Sequence, residues 1–251
     1  MHSFTKTVSL WEPRSIKRPE KDMGNIAIIT ARGGSKRIPR KNIKEFCGMP
    51  IIAYSIEAAL GSGLFDEVMV STDDEEIAEI ARKYGAKVPF FRSSEMSGDF
   101  APTIDVVKEV LDNYRAGGKE FDYWCCIYPT APFVTAEKLR QAFDALVSSD
   151  FDALVPVVRF SFPPQRCFVI GDNRLSYKWP ENEFARSQDL EPFYHDAGQF
   201  YMQKGSQLQK KKTLVPDRTY AFIVDETEVQ DIDNPDDWII AELKYRKMTE
   251  N

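Results

Sequence analysis

The sequence predicts an α/β protein built on a doubly wound, mostly parallel sheet. Three observations carry this. Short, continuous apolar runs recur along the chain and read as strands buried on both faces. Between them lie segments whose apolar residues repeat at helical spacing, so strand and helix alternate. Finally, a basic, glycine-bearing stretch, "ARGGSKRIPRKN" (31–42), follows directly on the first apolar run. In such sheets ligands sit beyond the carboxyl ends of the strands.

The elements follow in order. "NIAIITA" (25–31) is the first strand. Pro50 opens a helix over 50–61, with Ile52, Ile56, Ala59 and Leu60 on one face. "EVMVST" (67–72) is the second strand. Asp73 and Asp74 then supply an acidic cap, Ile77, Ile80, Ala81 and Tyr84 carry the helical spacing, and Gly85 stops it. "AKVPF" (86–90) reads as a short edge strand interrupted by proline. Thr103, Val107, Leu111 and Tyr114 mark the next helix, closed at Gly117 and Gly118. "YWCCIY" (123–128) is a central strand, Leu139, Ala142, Phe143 and Leu146 a helix face, and "DALVPVVRF" (152–160) a further strand.

The rhythm breaks at 161–196, an aperiodic stretch rich in Pro, Phe, Arg and polar residues. It reads as an insertion that carries substrate contacts, a subunit interface or both. Regular structure resumes with "GQFYM" (198–202). Asn234, Pro235, Asp236 and Asp237 announce a last helix, with Trp238, Ala241 and Tyr245 on its apolar face. The expected organisation is a leader over 1–23, with Met23 a conceivable alternative start, and one domain over 24–251.

Composition removes several function classes. The net charge of −6 argues against a nucleic-acid binder and against docking on an anionic membrane. No apolar run is long enough to span a bilayer, and the first 22 residues lack the pattern of a secretory signal. Cys47, Cys125, Cys126 and Cys167 match no zinc spacing and no disulfide framework, so reduced thiols in a cytoplasmic protein are expected.

Against that acidic background the 31–42 loop gathers five cations: Arg32, Lys36, Arg37, Arg40 and Lys41. Gly33 and Gly34 allow close backbone approach, and cations there suit phosphate oxygens. A solvated basic turn would share this composition; the position after the first strand favours a polyphosphate cradle. The loop fits neither the P-loop pattern nor the dinucleotide fingerprint. Near the other end, "DETEVQDIDNPDD" (225–237) holds seven carboxylates. In an extended segment Asp231 and Asp233 would share one face while Ile232 turns to the core. Two such carboxylates suit Mg²⁺ beside a substrate phosphate, although Asp233 also stands near the cap of the last helix. Together the two motifs suggest a nucleoside triphosphate bound as its magnesium complex.

At this point the sequence resembles a known family. "IAIITARGGSKRIPRKNI", "GMPIIAYSI", "DEVMVSTDDEEIAEIARKYGA", "YPTAPF" and "VQDIDNPDDW" occur in the order found in the sugar cytidylyltransferases, the CMP-sialic acid synthetase family. Within it, "QDLEPFYHDAGQFY" (188–201) is most similar to the branch that acts on pseudaminic acid, a nine-carbon sugar of bacterial surface glycans. The resemblance implies a Rossmann-like nucleotidyltransferase fold, usually a homodimer formed partly through the insertion. It implies transfer of CMP from CTP to the anomeric hydroxyl of an acidic sugar, with release of pyrophosphate.

It also implies roles for residues. Ala31, Arg32, the Gly33–Gly34 backbone and Ser35 should line the nucleotide site, with Arg32 on the triphosphate. Lys41, Asn42 and Thr103 should complete it. Asp231 and Asp233 should hold Mg²⁺ and, with Arg32 and Lys41, carry catalysis. Tyr201 should face the sugar, together with Gln188, His195, Asp196 and Gln199. His195, the only histidine beyond the leader, is open to a base, sugar-binding or structural role. The chain departs from sialic acid enzymes at Tyr128 to Pro132, where they commonly read Gln-Pro-Thr-Ser-Pro, and at His195 to Gly198, where they commonly read Arg-Pro-Asn-Gly. Both changes fall on the sugar side. N-acetylneuraminic, legionaminic and 3-deoxy-manno-octulosonic acids remain alternative acceptors, and a noncatalytic nucleotide-binding protein remains the alternative of another class.

Overall fold

The structure is a computed structural model that describes residues 24–208 and 212–250. The expected leader and Met23 lie outside these residues. The chain opens with strand β1 (Asn25–Thr30) and a two-residue hairpin, β2 (Glu45–Phe46) and β3 (Met49–Pro50). Helix α1 (Ile51–Ser62), strand β4 (Glu67–Ser71), helices α2 (Glu75–Lys83) and α3 (Thr103–Ala116), strand β5 (Tyr123–Ile127), helix α4 (Ala136–Val147) and strand β6 (Ala153–Arg159) follow. Next come the hairpin β7 (Phe168–Gly171) and β8 (Arg174–Tyr177), strands β9 (Tyr194–Asp196), β10 (Phe200–Lys204) and β11 (Thr219–Ile223), and helix α5 (Pro235–Thr249).

The main sheet runs β11-β6-β10-β5-β1-β4, with β9 added to β6. β1 is parallel to β4 and β5, and β11 is parallel to β6. β10 runs against both β5 and β6, and β9 against β6. Five strands therefore share one direction and two oppose it, so the sheet is mostly parallel, as expected.

Alternation along the strands decides which helices cover which face. Ala27 and Ile29 of β1, with Val68, Val70, Cys125 and Ile127, pack against Ile52 and Ile56 of α1, Ile77 of α2 and Leu139 of α4. Ile26 and Ile28, with Met69, Trp124 and Cys126, face Val107 and Val110 of α3. Both faces are covered, which explains why the strands read as unbroken apolar runs. α5 closes a third cluster, in which Trp238 meets Phe46, Tyr54, Phe133 and Ile232. The four cysteines are free thiols, with Cys125 and Cys126 buried in β5.

Caps fall where the sequence put them. Asp74 accepts the Ile77 amide at 3.0 Å, and Asn234 with Asp237 forms a reciprocal capping box at the start of α5. Two expectations need correction. "AKVPF" forms no strand: Lys87 alone bridges Met69 beside β4, because Pro89 has no N–H to extend the pairing. The 161–196 stretch is not wholly irregular: β7 and β8 pair from Phe168↔Tyr177 to Gly171↔Arg174 around Asp172 and Asn173. Both turn residues have positive φ, at 49° and 61°, the backbone of the turn that matches strand twist.

Candidate active site

A cavity of about 450 Å³ opens beyond the carboxyl ends of β1, β4 and β5. Arg32, Ser35, Lys41, Asn42, Thr103 and Asp233, all singled out from sequence, line it. The 31–42 loop, which follows β1, forms one side, and the segment before α5 brings Asp233 to it.

The five cations of the loop divide among four carboxylates. Arg32 donates to Asp99 Oδ1 at 2.5 Å, and Lys36 pairs with the other Asp99 oxygen. Lys36 and Arg32 together hold the Asp99 carboxyl down to about 2. Arg37 donates to Asp233 Oδ1 at 2.7 Å, and Lys41 Nζ lies 3.9 Å from the same atom. Arg40 turns away: it forks onto Asp74 at 2.5 and 2.8 Å and also reaches Glu76. That pair ties the loop to the cap of α2, and Arg40 holds the Asp74 carboxyl at about 2. Arg40 is therefore structural, while the other four cations surround the cavity or the carboxylate beside it.

The loop backbone is held tightly. Asn42 is buried and donates its side-chain amide to the Arg32 carbonyl at 2.9 Å, so it pins the loop. The Gly33 N–H is given to Asp73 Oδ1 at 2.9 Å, and a Cβ at Gly33 would stand 2.8 Å from Asp74 Oδ2. Gly33 thus allows close packing against α2. Ala31 is fully buried and donates to the Ser71 carbonyl, and Gly34 is exposed. Neither Ala31 nor the two glycines line the cavity.

Lys41 donates to the Ile232 carbonyl at 2.7 Å. Burial lowers its pKa, against the opposing pull of Asp233 and Asp231. Ile232 is 1% exposed and packs in the α5 cluster, while Asp231 reaches solvent and Asp233 is half-exposed. This is the core-in, carboxylates-out arrangement the sequence suggested. The Asp231 carboxyl is raised, first by partial withdrawal from water and then by the Asp233 charge. Two hard oxygen donors that crowd each other fit a divalent cation. Among the described residues no cluster of three or more His, Cys, Asp or Glu could hold a metal; a cation on these two carboxylates would need further oxygen donors.

Arg92 lines the same cavity and was not legible as a site residue. It is 9% exposed and donates to Ser71 Oγ at 3.0 Å and to the Ser71 carbonyl at 2.7 Å. Burial lowers its pKa. An arginine so deep at the end of β4 is a rare placement, but "FFRSSE" gives no sign of it. Asp99 and Tyr128 also join the wall.

None of the five proposed sugar residues lines the cavity, and only Tyr201 and Asp196 connect to its wall. Thr103 Oγ1 and the Tyr128 hydroxyl stand 3.5 Å apart in the cavity wall. The Tyr128 and Tyr201 rings lie 5.5 Å apart, and the Tyr201 hydroxyl donates to Asp196 Oδ2 at 2.6 Å. Gly198 N–H donates to the other Asp196 oxygen at 2.7 Å. Polar groups therefore run from the cavity to a fixed carboxylate, and burial raises the Tyr201 phenol so that it stays protonated. His195 lies on exposed β9, its ring 4.7 Å from Phe160 and its Nδ1 2.9 Å from the Asp196 carbonyl. It does not line the cavity, and neither does Gln188, which borders a separate hollow with Phe160, Pro163 and Val224. Gln199 is 2% exposed and donates to the Glu228 carbonyl at 2.6 Å. It faces the acidic segment.

Comparison with known proteins shows the family. A family model described as "Cytidylyltransferase" matches residues 26–233. A pseudaminic acid cytidylyltransferase of Campylobacter jejuni is 41% identical over 89% of this chain and 97% of its own. A CMP-N,N'-diacetyllegionaminic acid synthase of Legionella pneumophila is 34% identical over 86% of this chain and 94% of its own. Among solved structures, a CMP:2-keto-3-deoxy-manno-octonic acid synthetase complexed with CTP superposes with a TM-score of 0.64 at 17% identity, covering 90% of this chain and 99% of its own. That last likeness concerns the fold. Matched along most of its length by the family model and by relatives of nearly full coverage, this chain belongs to the cytidylyltransferase family, enzymes that transfer CMP from CTP.

Proposed function

We propose that this enzyme transfers CMP from CTP to the anomeric hydroxyl of pseudaminic acid and releases pyrophosphate. The observation that carries the choice of sugar is the 41% identity along nearly the whole Campylobacter jejuni pseudaminic acid enzyme. The cavity supports the chemistry: cations and Asp233 line it, and Asp231 stands two residues away on the same segment, outside the lining.

Nucleotidyl transfer depends mainly on positioning and charge neutralisation. Arg32 and Lys36 would exchange Asp99 for triphosphate oxygens. Lys41, held at Ile232, would present its ammonium where charge builds on the phosphates. Asp231 and Asp233 would hold Mg²⁺, which when bound offsets phosphate charge and orients the oxygens around it. Tyr201 and Gly198 would fix Asp196 as an acceptor for a sugar N–H or O–H. His195, off the cavity wall, would at most contact the sugar.

The 161–196 stretch leaves Phe162, Ile170, Leu175 and Phe184 exposed at 85%, 76%, 61% and 91%. Apolar side chains this bare, gathered in one insertion, suit the interface of a homodimer. Sedimentation at the mass of one protomer would refute that reading. Free thiols at half-buried Cys47 and exposed Cys167 suit the cytoplasm. No helix among the described residues is long and apolar enough to cross a membrane.

The test is pyrophosphate release from CTP and Mg²⁺ with four acceptors in parallel: pseudaminic, N-acetylneuraminic, N,N'-diacetyllegionaminic and 3-deoxy-manno-octulosonic acids. Release with pseudaminic acid at much the highest kcat/KM is expected. Preference for another acid would overturn the sugar assignment and leave the nucleotide site standing.

A further inference from the structure

The two candidate metal carboxylates sit on a segment with unusual support. Residues 229–233 belong to neither helix nor strand. No sheet ladder fixes Asp231 and Asp233, yet positioning for nucleotidyl transfer tolerates little error. Beside Lys41 at the Ile232 carbonyl, side chains from three further elements support the segment. Gln199, just before β10, donates to the Glu228 carbonyl at 2.6 Å. Lys244 of α5 donates to the Val229 carbonyl at 2.7 Å and the Glu226 carbonyl at 3.2 Å. Lys138 of α4 pairs with the Glu228 carboxylate at 2.8 Å and also donates to the Phe133 carbonyl at 2.9 Å.

Two of these groups are costly to place. Lys138 is 9% exposed and Gln199 is 2% exposed. A lysine ammonium and a primary amide are seldom that deep unless their hydrogen bonds are made. Both direct their donors to the same residue, Glu228, three positions before Asp231. Gln199 stands beside Phe200, where an apolar residue would fill the core without this polar requirement. Among the described residues its amide oxygen has no partner, and its N–H is given to Glu228.

We propose that Lys138, Gln199 and Lys244 are positioning residues: they hold the backbone at 226–229 so that Asp231 and Asp233 present their carboxylates together to a divalent cation. This rests on the reading of that pair as the Mg²⁺ site. It moves Gln199 from the sugar pocket to the support of the metal segment, and it gives Lys138 and Lys244 a part in the reaction without contact to substrate. Groups that orient metal-binding side chains typically change metal affinity or activity about 10–100-fold when removed.

The test is calorimetric and needs no turnover. CTP affinity is measured without sugar, once in excess Mg²⁺ and once in EDTA, and the ratio gives the gain that the metal contributes. Lys138→Met and Gln199→Met are expected to cut that gain about tenfold and to leave the EDTA affinity near wild type. Lys138→Arg, which keeps the charge and a donor, is expected to restore most of it. Lys244→Met, at a half-buried surface position, carries the same expectation and serves if Lys138→Met does not fold, as judged by urea melts. Asp231→Ala is the control for the underlying reading. If it abolishes the gain while folded Lys138→Met, Gln199→Met and Lys244→Met keep it, the positioning proposal is wrong and the metal site stands. If Asp231→Ala keeps the full gain, the metal site is elsewhere and the proposal falls with it.

Discussion

Lys41 Nζ donates to the Ile232 carbonyl at 2.7 Å and stands 3.9 Å from Asp233 Oδ1. One side chain thus joins the basic loop after β1 to the acidic segment before α5, which are 191 positions apart. The contact makes one site of the two motifs. It also sets a conflict within the Lys41 ammonium: burial disfavours its charge, and Asp233 and Asp231 favour it. Phosphates entering the cavity would add to the favourable side.

Replacing Lys41 with Met should therefore remove both an anchor of the carboxylate segment and a charge facing the phosphates. Loss of one preorganised donor at a reacting group costs about 10²–10³ in rate. A fall of that size in kcat/KM for CTP is expected, with partial recovery in Lys41→Arg. Steady-state pyrophosphate release measures it. A Lys41→Met enzyme within a few-fold of wild type would remove Lys41 from the catalytic set.

Asp99 makes the opposite contribution. Its carboxylate occupies Arg32 and Lys36, the cations proposed to receive the triphosphate, and with its pKa held at about 2 it stays charged at any working pH. CTP must then displace an internal anion. Asp99→Asn should bind CTP about fivefold more tightly at low salt, the scale of one exposed ion pair. The difference should shrink at high ionic strength, because the groups are solvent-facing. Titration calorimetry decides the sign: weaker CTP binding would mean that Asp99 orients Arg32 and does not compete with the ligand.

These partners explain how far the sequence could be read. Strand and helix alternation was legible because β1, β4 and β5 are apolar on both faces and the caps at Asp74 and Asn234 are local. The Arg32–Lys41 loop and the Asp231–Asp233 pair were legible because each is dense in one charge. Arg92 and Asp99 were not, since "FFRSSEMSGDFAP" looks like an ordinary polar connection and only the fold brings it over β4. Gln199 stands with the sugar residues by sequence, while its amide donates to the Glu228 carbonyl, a partner that only the fold supplies. Its neighbours Asp196 and Tyr201 bond to each other. The β7–β8 hairpin could have been found, because Gly171-Asp172-Asn173 is a turn signal between the apolar Phe168-Val169-Ile170 and the alternating Leu175 and Tyr177.

Glu67 offers a test of stability that is independent of the cavity. It begins β4, at the end opposite the basic 31–42 loop, and is 4% exposed. It accepts from Lys119 at 2.7 Å, from Lys87 at 3.1 Å and from the Tyr114 hydroxyl at 3.1 Å. Burial alone would raise its carboxyl, but Lys119, Lys87 and Tyr114 outweigh that and hold it below the usual carboxylate range. A lowered folded pKa means that the charged form stabilises the fold. That contribution is complete above the unfolded value, about 4.3, and is lost as pH falls through the folded one. Glu67→Gln should cost on the order of 1–3 kcal/mol at neutral pH, leave CTP turnover intact, and converge on wild type in acid. Urea melts from pH 7 downward would show this. A stability difference that stayed constant through the acid range would assign the effect to packing at the start of β4 and not to the carboxylate charge.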